Sequence, residues 1–302
     1  MTAHSEHRNE QPNTRGIVVA VDGSAPSDTA LEWAVREAAS RKSPLTVVHV
    51  VRPPMVVAWP EMPPGPAYGE SLEDHGRAVL DEATKRAEGL AQSLGGVTIT
   101  SELHSETIMG TLIDMSKDAE LIVVGCRGQG AVSRAVMGSV SSAMVHHSQC
   151  PVAVIHDDTP ADQLAGAPVV VGIDGSPASE AATAIAFDAA ARHRVPLVAV
   201  HAWSDATAIE YPGVTYEIMQ GLGEEVLGER LAGWHERYPD VEVRRVVTCD
   251  KPAHQLLEQA EKAQLIVVGS HGRGGFAGML LGSVSSKVVH SARIPVIVAR
   301  QG

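Results

Sequence analysis

The chain has 302 residues, of which 44% are hydrophobic but only 3% aromatic, and it contains 28 glycines. This length suits about two domains, and the cores must be built mainly from aliphatic side chains. The formal net charge is −12, and neither half is basic: the first 160 residues carry 12 basic and 20 acidic side chains, and the rest carry 12 and 16. This charge argues against a nucleic-acid-binding domain, but not against a small anion held by backbone amides.

The sequence predicts no exported protein, membrane span or disulfide framework. Residues 1–15 are polar throughout and lack the apolar segment of a signal peptide, so we expect a disordered tail there. No apolar run approaches the roughly 20 residues that span a bilayer. Cys126, Cys150 and Cys249 are odd in number and widely spaced, which fits a reducing compartment. We therefore expect a cytoplasmic protein with neither membrane nor nucleic acid among its partners.

Three motifs occur twice in the same order, which indicates that the chain consists of two copies of one unit. They are IVVAVDGS at 17–24 with VVVGIDGS at 169–176, LIVVG at 121–125 and 265–269, and GSVSS at 138–142 and 282–286. A junction rich in Asp, Pro, Ala and Gly separates the two copies. The predicted organisation is a tail at 1–15, a first domain at 16–156, a linker at 157–167 and a second domain at 168–302.

In the first copy, short β-branched runs alternate with amphipathic stretches of helical period. The predicted strands are Ile17–Val21, Leu45–Val51, Val97–Leu103, Leu121–Val124 and Pro151–Ile155. The predicted helices are Pro26–Arg41, Glu70–Leu94, Ile108–Lys117 and Ser139–His147. A Pro-rich stretch at 52–68 is predicted to form a long surface loop.

The second copy repeats this alternation. Its predicted strands are 169–173, 197–203, 241–247, 265–268 and 295–299, and its predicted helices are 178–193, 216–237, 252–262 and 283–292. Such an alternation predicts an α/β fold of two tandem, doubly wound, Rossmann-like domains, each with a five-stranded parallel sheet. One reversal of strand order then gives each sheet a single switch point, where ligands bind.

A glycine-rich segment with the spacing G-x2-G-x9-G-S follows the fourth predicted strand of each copy. Its glycines are Gly125, Gly128 and Gly138 in the first copy and Gly269, Gly272 and Gly282 in the second. Glycines let the backbone approach a ligand closely, and the last Gly-Ser opens a helix whose first amides attract an anion. Since Ser139 and Ser141 add hydroxyl donors, the pattern predicts a phosphate cradle. The alternative is a tight turn followed by an ordinary serine N-cap.

An Asp-Gly-Ser sequence follows the first predicted strand of each copy, beginning at Asp22 and at Asp174. An acidic residue at the carboxyl end of this strand faces the switch-point crevice. There it would accept a hydrogen bond from a base or a ribose hydroxyl, or help to hold a metal ion. The alternative is that Asp or Ser caps the helix that follows, and the two roles are compatible.

Other residues give weaker signals. His49 and His201 stand at the same place near the end of strand two, where a hydrogen-bonded structural role is favoured. Arg127 and His271 lie inside the glycine loops, either in contact with phosphate or as solvated loop residues. Cys126 lies in the first glycine loop, where we expect a reactive thiol that bound phosphate shields. The alternative for Cys126 is a small apolar side chain in the core.

Together these motifs resemble the universal stress protein family in its tandem two-domain form. The resemblance is carried by VVAVDGS, by L-x-V-V-H-V, by LIVVG-x2-G-x9-GSVSS and by the CPV and IPV strands, and it covers about residues 16–300. The glycine spacing is similar to that of the ATP-binding branch of this family. The family also implies that strand five is buried by pairing across a two-fold axis, which the two copies can achieve within one chain.

The resemblance implies an adenine pocket between strands one and two, with the phosphates of ATP on the glycine loop and Mg²⁺ as a candidate companion. The residues implied in the first copy are Ala20, Asp22, Ser24, Val50, Gly125, Arg127, Gly128, Gln129, Gly130, Ala131, Gly138, Ser139, Val140 and Ser141. Those in the second copy are Gly172, Asp174, Ser176, Ala202, Gly269, His271, Gly272, Arg273, Gly274, Gly275, Gly282, Ser283, Val284 and Ser285.

Three functions are compatible with these features. The first is a stress-response regulatory protein, expected to be a homodimer as in the family, whose ATP occupancy tunes its shape or its choice of an unknown protein partner. The second is an enzyme on the same fold, an ATPase or adenylyl transferase; since the sequence offers no clear positioned base or lysine clamp, its turnover would be slow. The third is an interaction scaffold with vestigial sites. No catalytic residue is assigned.

Overall fold

The computed structural model describes residues 15–51, 66–128, 137–156, 164–203, 216–249, 251–273 and 280–300. Its strands are β1 (Ile17–Ala20), β2 (Leu45–Val50), β3 (Ile99–His104), β4 (Leu121–Gly125), β5 (Val152–Ile155), β6 (Val169–Gly172), β7 (Leu197–Trp203), β8 (Val243–Cys249), β9 (Leu265–Gly269) and β10 (Val296–Ala299). Its helices are α1 (Ala25–Arg41), α2 (Pro66–Ser93), α3 (Ile108–Met115), α4 (Ser139–His147), α5 (Pro177–His193), α6 (Tyr216–Leu231), α7 (Trp234–Arg237), α8 (Pro252–Ala260) and α9 (Ser283–Ser291).

The strands form one ten-stranded sheet with the order β3-β2-β1-β4-β5-β10-β9-β6-β7-β8. Within each half the strands are parallel and their order reverses once, between β1 and β4 and again between β6 and β9. The predicted α/β fold of two tandem, doubly wound halves with five parallel strands each is confirmed, and the two halves share one continuous sheet. The halves join where β5 and β10 pair antiparallel, with Ala153 opposite Ile297, so the predicted pairing of the two fifth strands within one chain is also confirmed.

The core is aliphatic and lies on both faces of the sheet. Alternate residues of β1 point to opposite faces, so Ile17 and Val19 pack in one buried cluster and Val18 packs in the other. Helices α1 and α5 contribute alanine-rich stripes to the first cluster, joined by Leu31 and Val35 on α1 and by Phe187 on α5. Phe187 is the one aromatic residue among the largest fully buried side chains of the described residues. Small side chains on these helices let them pack closely on the sheet.

Helices α1 and α5 begin and end in the same way in both halves. Each follows a serine N-cap, Ser24 or Ser176, and carries a proline in its first turn, where the missing N–H costs no hydrogen bond. Each ends at a basic residue in the left-handed region, Lys42 or Arg194, both with φ 55°. These signals place the first helix of each half directly after the Asp-Gly-Ser turn.

The predicted single helix over 216–237 is wrong. The structure has two helices there, α6 and α7, separated at Gly233, whose φ of 83° lies in the left-handed region that glycine tolerates. The apolar spacing continues through the break because Trp234 and Tyr238 stack on Phe187, with ring centroids 5.2 Å and 5.7 Å apart. The strand predicted at 241–247 correspondingly begins later, at Val243.

A buried carboxylate links the two halves where α1 contacts α5. Glu37 on α1 is 3% exposed and accepts hydrogen bonds from Arg41 at 2.7 Å and from Arg192 of the second half at 2.9 Å. His193 lies 3.4 Å from the same carboxylate, and its other ring nitrogen is 2.9 Å from the Gln264 side-chain oxygen. Burial alone would raise the pKa of Glu37, but hydrogen bonding to His193 and the two arginines hold it well below its ordinary value.

Some predicted features lie outside the described residues. They are the tail up to residue 14, residues 52–65 of the predicted loop and the linker residues 157–163. Residues 66–68, also predicted as loop, instead form the start of α2. In the part of the chain that the structure describes, no helix is both long enough and apolar enough to cross a membrane.

Candidate functional site

Each half gathers its chemistry-bearing residues at the carboxyl edge of the sheet, beside the reversal of strand order. We call the first site the region formed by the carboxyl ends of β1 and β4 and the start of α4. The second site is its counterpart at the ends of β6 and β9 and the start of α9. Because the connections that leave the two neighbouring strands at a switch point run to opposite faces of the sheet, a crevice opens at the carboxyl ends of these strands. The structure thus brings the predicted aspartates and glycine loops to the same edge.

In the first site, Asp22 shapes the turn that precedes α1. One oxygen of its carboxylate accepts hydrogen bonds from the backbone N–H of Ser24 at 3.0 Å and from the Ser24 hydroxyl at 2.5 Å. The Ser24 hydroxyl in turn accepts from the backbone N–H of Ser27, so Ser24 is the N-cap. Asp22 does not cap the helix itself, and its second carboxylate oxygen, Oδ2, lies toward Gly128 of the glycine loop.

The second site repeats this turn. Asp174 accepts from the backbone N–H of Ser176 at 2.9 Å, and Ser176 caps α5 by accepting from the N–H of Ser179 at 3.2 Å. Burial raises the pKa of Asp174, but hydrogen bonds from Ser176, Ser179 and the Arg273 backbone outweigh it and hold the pKa below its ordinary value. Asp174 is therefore an ionised acceptor at neutral pH.

Each aspartate also reaches across the crevice to the glycine loop. A β-carbon added at Gly128 would lie 2.5 Å from Oδ2 of Asp22, and one at Gly272 would lie 2.5 Å from Oδ2 of Asp174. In the second site the backbone N–H of Arg273 donates to that oxygen at 3.1 Å. The glycines at these two positions allow the loop to lie directly against the carboxylate.

The helices α4 and α9 begin without a side-chain cap. Their N-cap residues are Gly138 and Gly282, with ordinary φ values of −65° and −72°, and no side chain hydrogen-bonds to the first turn within the described residues. A β-carbon at either glycine would meet no described atom closer than 3.5 Å. Ser139 and Ser283, the first helical residues, are exposed. No side chain of the described residues therefore occupies the first-turn amides of either helix.

The expectation that Ser141 offers its hydroxyl to a ligand is wrong. Ser141 is 2% exposed, and its hydroxyl donates to the carbonyl of Gly125 at 2.6 Å. Ser285 makes the same bond to Gly269 at 2.5 Å. These serines tie the start of each helix to the end of the preceding strand. They can do so because they face the sheet, whereas the preceding residues, Val140 and Val284, are only partly buried.

The first glycine of each loop meets backbone. A β-carbon at Gly125 would lie 2.8 Å from the carbonyl oxygen of Pro26, and one at Gly269 would lie 2.7 Å from the carbonyl carbon of Ala178. Backbone atoms cannot move aside as a side chain can. These two glycines let the first helix of each half pack on the strand, so their requirement is structural.

The residues predicted to line an adenine pocket end β1 and β2 in the first half and β6 and β7 in the second. Ala20, Gly172 and Ala202 are half-buried, whereas Val50 is 8% exposed. His49 lies beside this region, and its Nδ1 donates to the carbonyl of Val21 at 2.7 Å. His201 makes the equivalent bond to Ile173 at 2.7 Å. The structural role favoured for both histidines is therefore what the structure shows.

The remaining predicted loop residues fall into two groups. Gln129, Gly130, Ala131, Gly274 and Gly275 lie outside the described residues. Arg127 and His271 are half-buried, and the carbonyl of His271 accepts from the Ser176 hydroxyl at 3.2 Å. The expectation of an accessible Cys126 thiol is wrong, since Cys126 is 5% exposed and packs in the second core cluster, as its alternative interpretation held.

Two serines that the sequence reasoning missed fix the aspartate turns. The Ser27 hydroxyl donates to the carbonyl of Ser24 at 2.9 Å, and the Ser179 hydroxyl donates to the carbonyl of Ser176 at 2.9 Å. The Ser179 oxygen also accepts from the N–H of Gly175 at 3.1 Å. Their signal in the sequence was available: each lies five residues after the repeated aspartate.

The described residues contain no group of three or more His, Cys, Asp or Glu side chains that would hold a metal ion. Within them each site contributes one carboxylate, Asp22 or Asp174, and hydrogen bonds already occupy part of it. A divalent ion at either site would therefore take most of its ligands from a phosphate group or from water.

Comparison with known proteins agrees with this architecture. The model of the universal stress protein family matches residues 13–156 and 167–300. A universal stress protein of Mycobacterium tuberculosis is 53% identical over 287 residues, covering 95% of this chain and 97% of its own length. The crystal structure of a universal stress protein from Archaeoglobus fulgidus has a TM-score of 0.69 at 21% identity, covering 96% of this chain and 97% of its own. A universal stress protein in complex with cAMP is 24% identical, with a TM-score of 0.36, and covers 47% of this chain and 97% of its own.

Proposed function

Because the chain belongs to the universal stress protein family, we propose that it is a stress-response regulatory protein with two ATP sites. ATP occupancy would tune its conformation or its choice of protein partner. The sites would be the first and second sites, with the phosphates at the starts of α4 and α9. The aspartate turns and the ends of β2 and β7 would hold the nucleoside.

The observation that carries this proposal is the recurrence of glycine at Gly138 and Gly282, where the surrounding protein does not require it. Both residues have ordinary φ values and room for a β-carbon. Serine, aspartate or asparagine would cap these helices better. Glycine instead leaves the positive end of the helix uncovered and lets an anion approach the backbone. The same arrangement in both halves supports two phosphate sites.

The adenosine end of the ligand is proposed from the resemblance and from the placement of the aspartates. Asp22 and Asp174 would accept a hydrogen bond from a ribose hydroxyl or a base, because each follows the strand that borders the crevice. Val50 and Ala202 would pack against the base. Mg²⁺, where present, would bind chiefly through the phosphates.

Isothermal titration calorimetry with ATP tests the proposal. We expect a stoichiometry near two per chain, falling to about one in Gly138→Asp and in Gly282→Asp. Aspartate is a favourable N-cap, so these variants should stay folded while their carboxylates occupy the phosphate position and repel it. The double variant should bind no ATP.

Three outcomes separate the candidate functions. Two bound ATP without turnover support the regulatory function. Release of phosphate or of pyrophosphate at a steady rate would favour the enzyme. No binding by the folded wild-type protein would favour the scaffold and contradict the proposal.

We also retain two proposals on organisation. The domains are 16–156 and 168–302, joined by the linker 157–167. The chain forms a homodimer, which light scattering tests at micromolar concentration.

A further inference from the structure

An arginine on α6 lies against the turn that follows β6. The guanidinium of Arg230 faces the α-carbon of Gly175, because a β-carbon added at Gly175 would lie 3.2 Å from its Nε and 3.3 Å from its Nη2. Gly175 directly follows Asp174, whose carboxylate contacts Gly272 in the glycine loop. Arg230 is thus placed at the rim of the second site.

A second arginine contacts the same turn from the glycine loop. The backbone N–H of Arg273 donates to the Asp174 carboxylate at 3.1 Å, and its side-chain Nε donates to the Asp174 carbonyl. Two guanidinium groups therefore lie against the two-residue turn of Asp174 and Gly175. This concentrates positive charge at the Asp174 turn, which lies against Gly272 in the glycine loop that precedes α9.

The first half carries an arginine at the corresponding place, but two carboxylates hold it. Arg86 on α2 donates from Nη1 to Asp28 at 2.9 Å and from Nη2 to Glu32 at 2.6 Å. Arg86 and Arg230 are 144 positions apart, the same offset as the two LIVVG runs. Both terminal nitrogens of Arg86 are occupied by carboxylates. These contacts raise the pKa of Arg86 and fix the orientation of its side chain.

The second half keeps only one of these two carboxylates. Glu180 stands at the place of Asp28, six residues after the repeated aspartate, and lies 3.2 Å from Arg230. Ala184 stands at the place of Glu32. Among the described residues Arg230 has no other ion-pair partner, and its side chain is 45% exposed. A single exposed ion pair holds an arginine weakly, so Arg230 can exchange Glu180 for a phosphate group.

We propose that Arg230 is a positioning residue for the phosphates at the second site and makes the two sites unequal in specificity. The second site selects nucleotides with several phosphate charges, such as a nucleoside triphosphate. In the first site two carboxylates already pair with Arg86, and Gln129 stands in place of Arg273. The first site therefore discriminates less between tri- and monophosphates. This inference rests on the proposed nucleotide function.

Calorimetry with ATP and AMP on single-site proteins tests the inference. In the Gly138→Asp protein, where the second site alone is intact, Arg230→Gln should raise the Kd for ATP about tenfold, the usual cost of a lost charge-assisted contact to phosphate. Its Kd for AMP should change by less than about twofold. Arg86→Gln in the Gly282→Asp protein is the matched control and should leave the ratio of the two Kd values unchanged.

A gain of carboxylate provides an independent variant. Ala184→Glu places a second acid one turn beyond Glu180, as in the first half, and should draw Arg230 from the site. We expect it to raise the Kd for ATP in the same direction as Arg230→Gln. If ATP binds and Arg230→Gln leaves the ATP-to-AMP ratio unchanged, the specificity inference is overturned while the nucleotide function stands. If neither single-site protein nor the wild type binds ATP, both are overturned.

Discussion

Individual glycines of the repeated loop have different tasks, although the sequence presents them as one motif. A β-carbon at Gly125 would meet the backbone of Pro26, one at Gly128 would meet the carboxylate of Asp22, and one at Gly138 would meet described atoms no closer than 3.5 Å. The first is required for packing, the second for the position of an acid, and the third leaves room for a ligand. From the first glycine to the third, these positions lead from the end of the strand outward to the crevice.

Gly125→Ala and Gly128→Ala should therefore separate stability from binding. Gly125→Ala forces a methyl group against a carbonyl and should lower the free energy of unfolding by about 2 kcal/mol. Gly128→Ala displaces the Asp22 carboxylate and should weaken ATP binding at the first site by about tenfold, with stability changed by less than about 0.5 kcal/mol. Urea denaturation and calorimetry measure the two effects. Equal loss of stability in both variants would show that Gly128 serves folding.

The sequence predicted which glycines recur but not what each one touches. The positions of Asp22 and Gly128 were both identified, yet their contact joins residues that are far apart in the chain. Ser141 was misassigned because its motif shows a serine at a helix start without showing which face of the helix meets the sheet. Ser27 was missed because a hydroxyl inside an amphipathic helix is conspicuous only when the two copies are compared, where Ser179 stands at the same place.

Elements were predicted well wherever their start and end signals are local. The helix Ser139–His147 and the strand at 197–203 have the predicted bounds, and α1 begins one residue before the predicted Pro26. The α6–α7 break was not predicted because the hydrophobic spacing runs through Gly233. The period of apolar residues thus fixed the faces of these helices but not their ends.

The break at Gly233 provides a test with a control in the preceding helix. Gly233→Ala places a side chain at φ 83° and should lower the free energy of unfolding by about 1 kcal/mol. Gly221→Ala lies inside α6 with no described atom within 4 Å of the new β-carbon, so it should raise stability by about 0.5 kcal/mol. Thermal unfolding compares the two. A stabilising Gly233→Ala would mean that α6 and α7 can merge into one helix.

At the scale of the whole molecule, the two halves are held together by the β5–β10 ladder and by the contacts of Glu37. The ladder could be anticipated because an unpaired fifth strand would leave exposed backbone at a sheet edge. The Glu37 contacts could not be anticipated, because the repeat does not preserve them. Ser40 stands at the position equivalent to Arg192, and Ala189 stands at the position equivalent to Glu37. An ion pair present on only one side of a repeat leaves no periodic signal.

His193 makes this junction dependent on pH. Its hydrogen bond with Glu37 raises its pKa above the ordinary value. The folded protein therefore favours the protonated ring more than the unfolded chain does. This stabilisation is complete below the unfolded pKa of about 6.5 and is lost as the pH rises through the higher folded pKa. The free energy of unfolding of the wild type should exceed that of His193→Gln by about 1 kcal/mol at pH 6, and this difference should shrink by pH 9. A pH-independent difference from urea denaturation would contradict this.

The antiparallel pairing of β5 with β10 also sets the directions in which the molecule faces. All strands of one half run opposite to those of the other, so their carboxyl ends emerge at opposite edges of the continuous sheet. The first and second sites consequently lie at opposite edges of the sheet and open in opposite directions. If both sites bind ATP as proposed, the chain would act as a bivalent connector that presents one occupied site at each edge of the sheet.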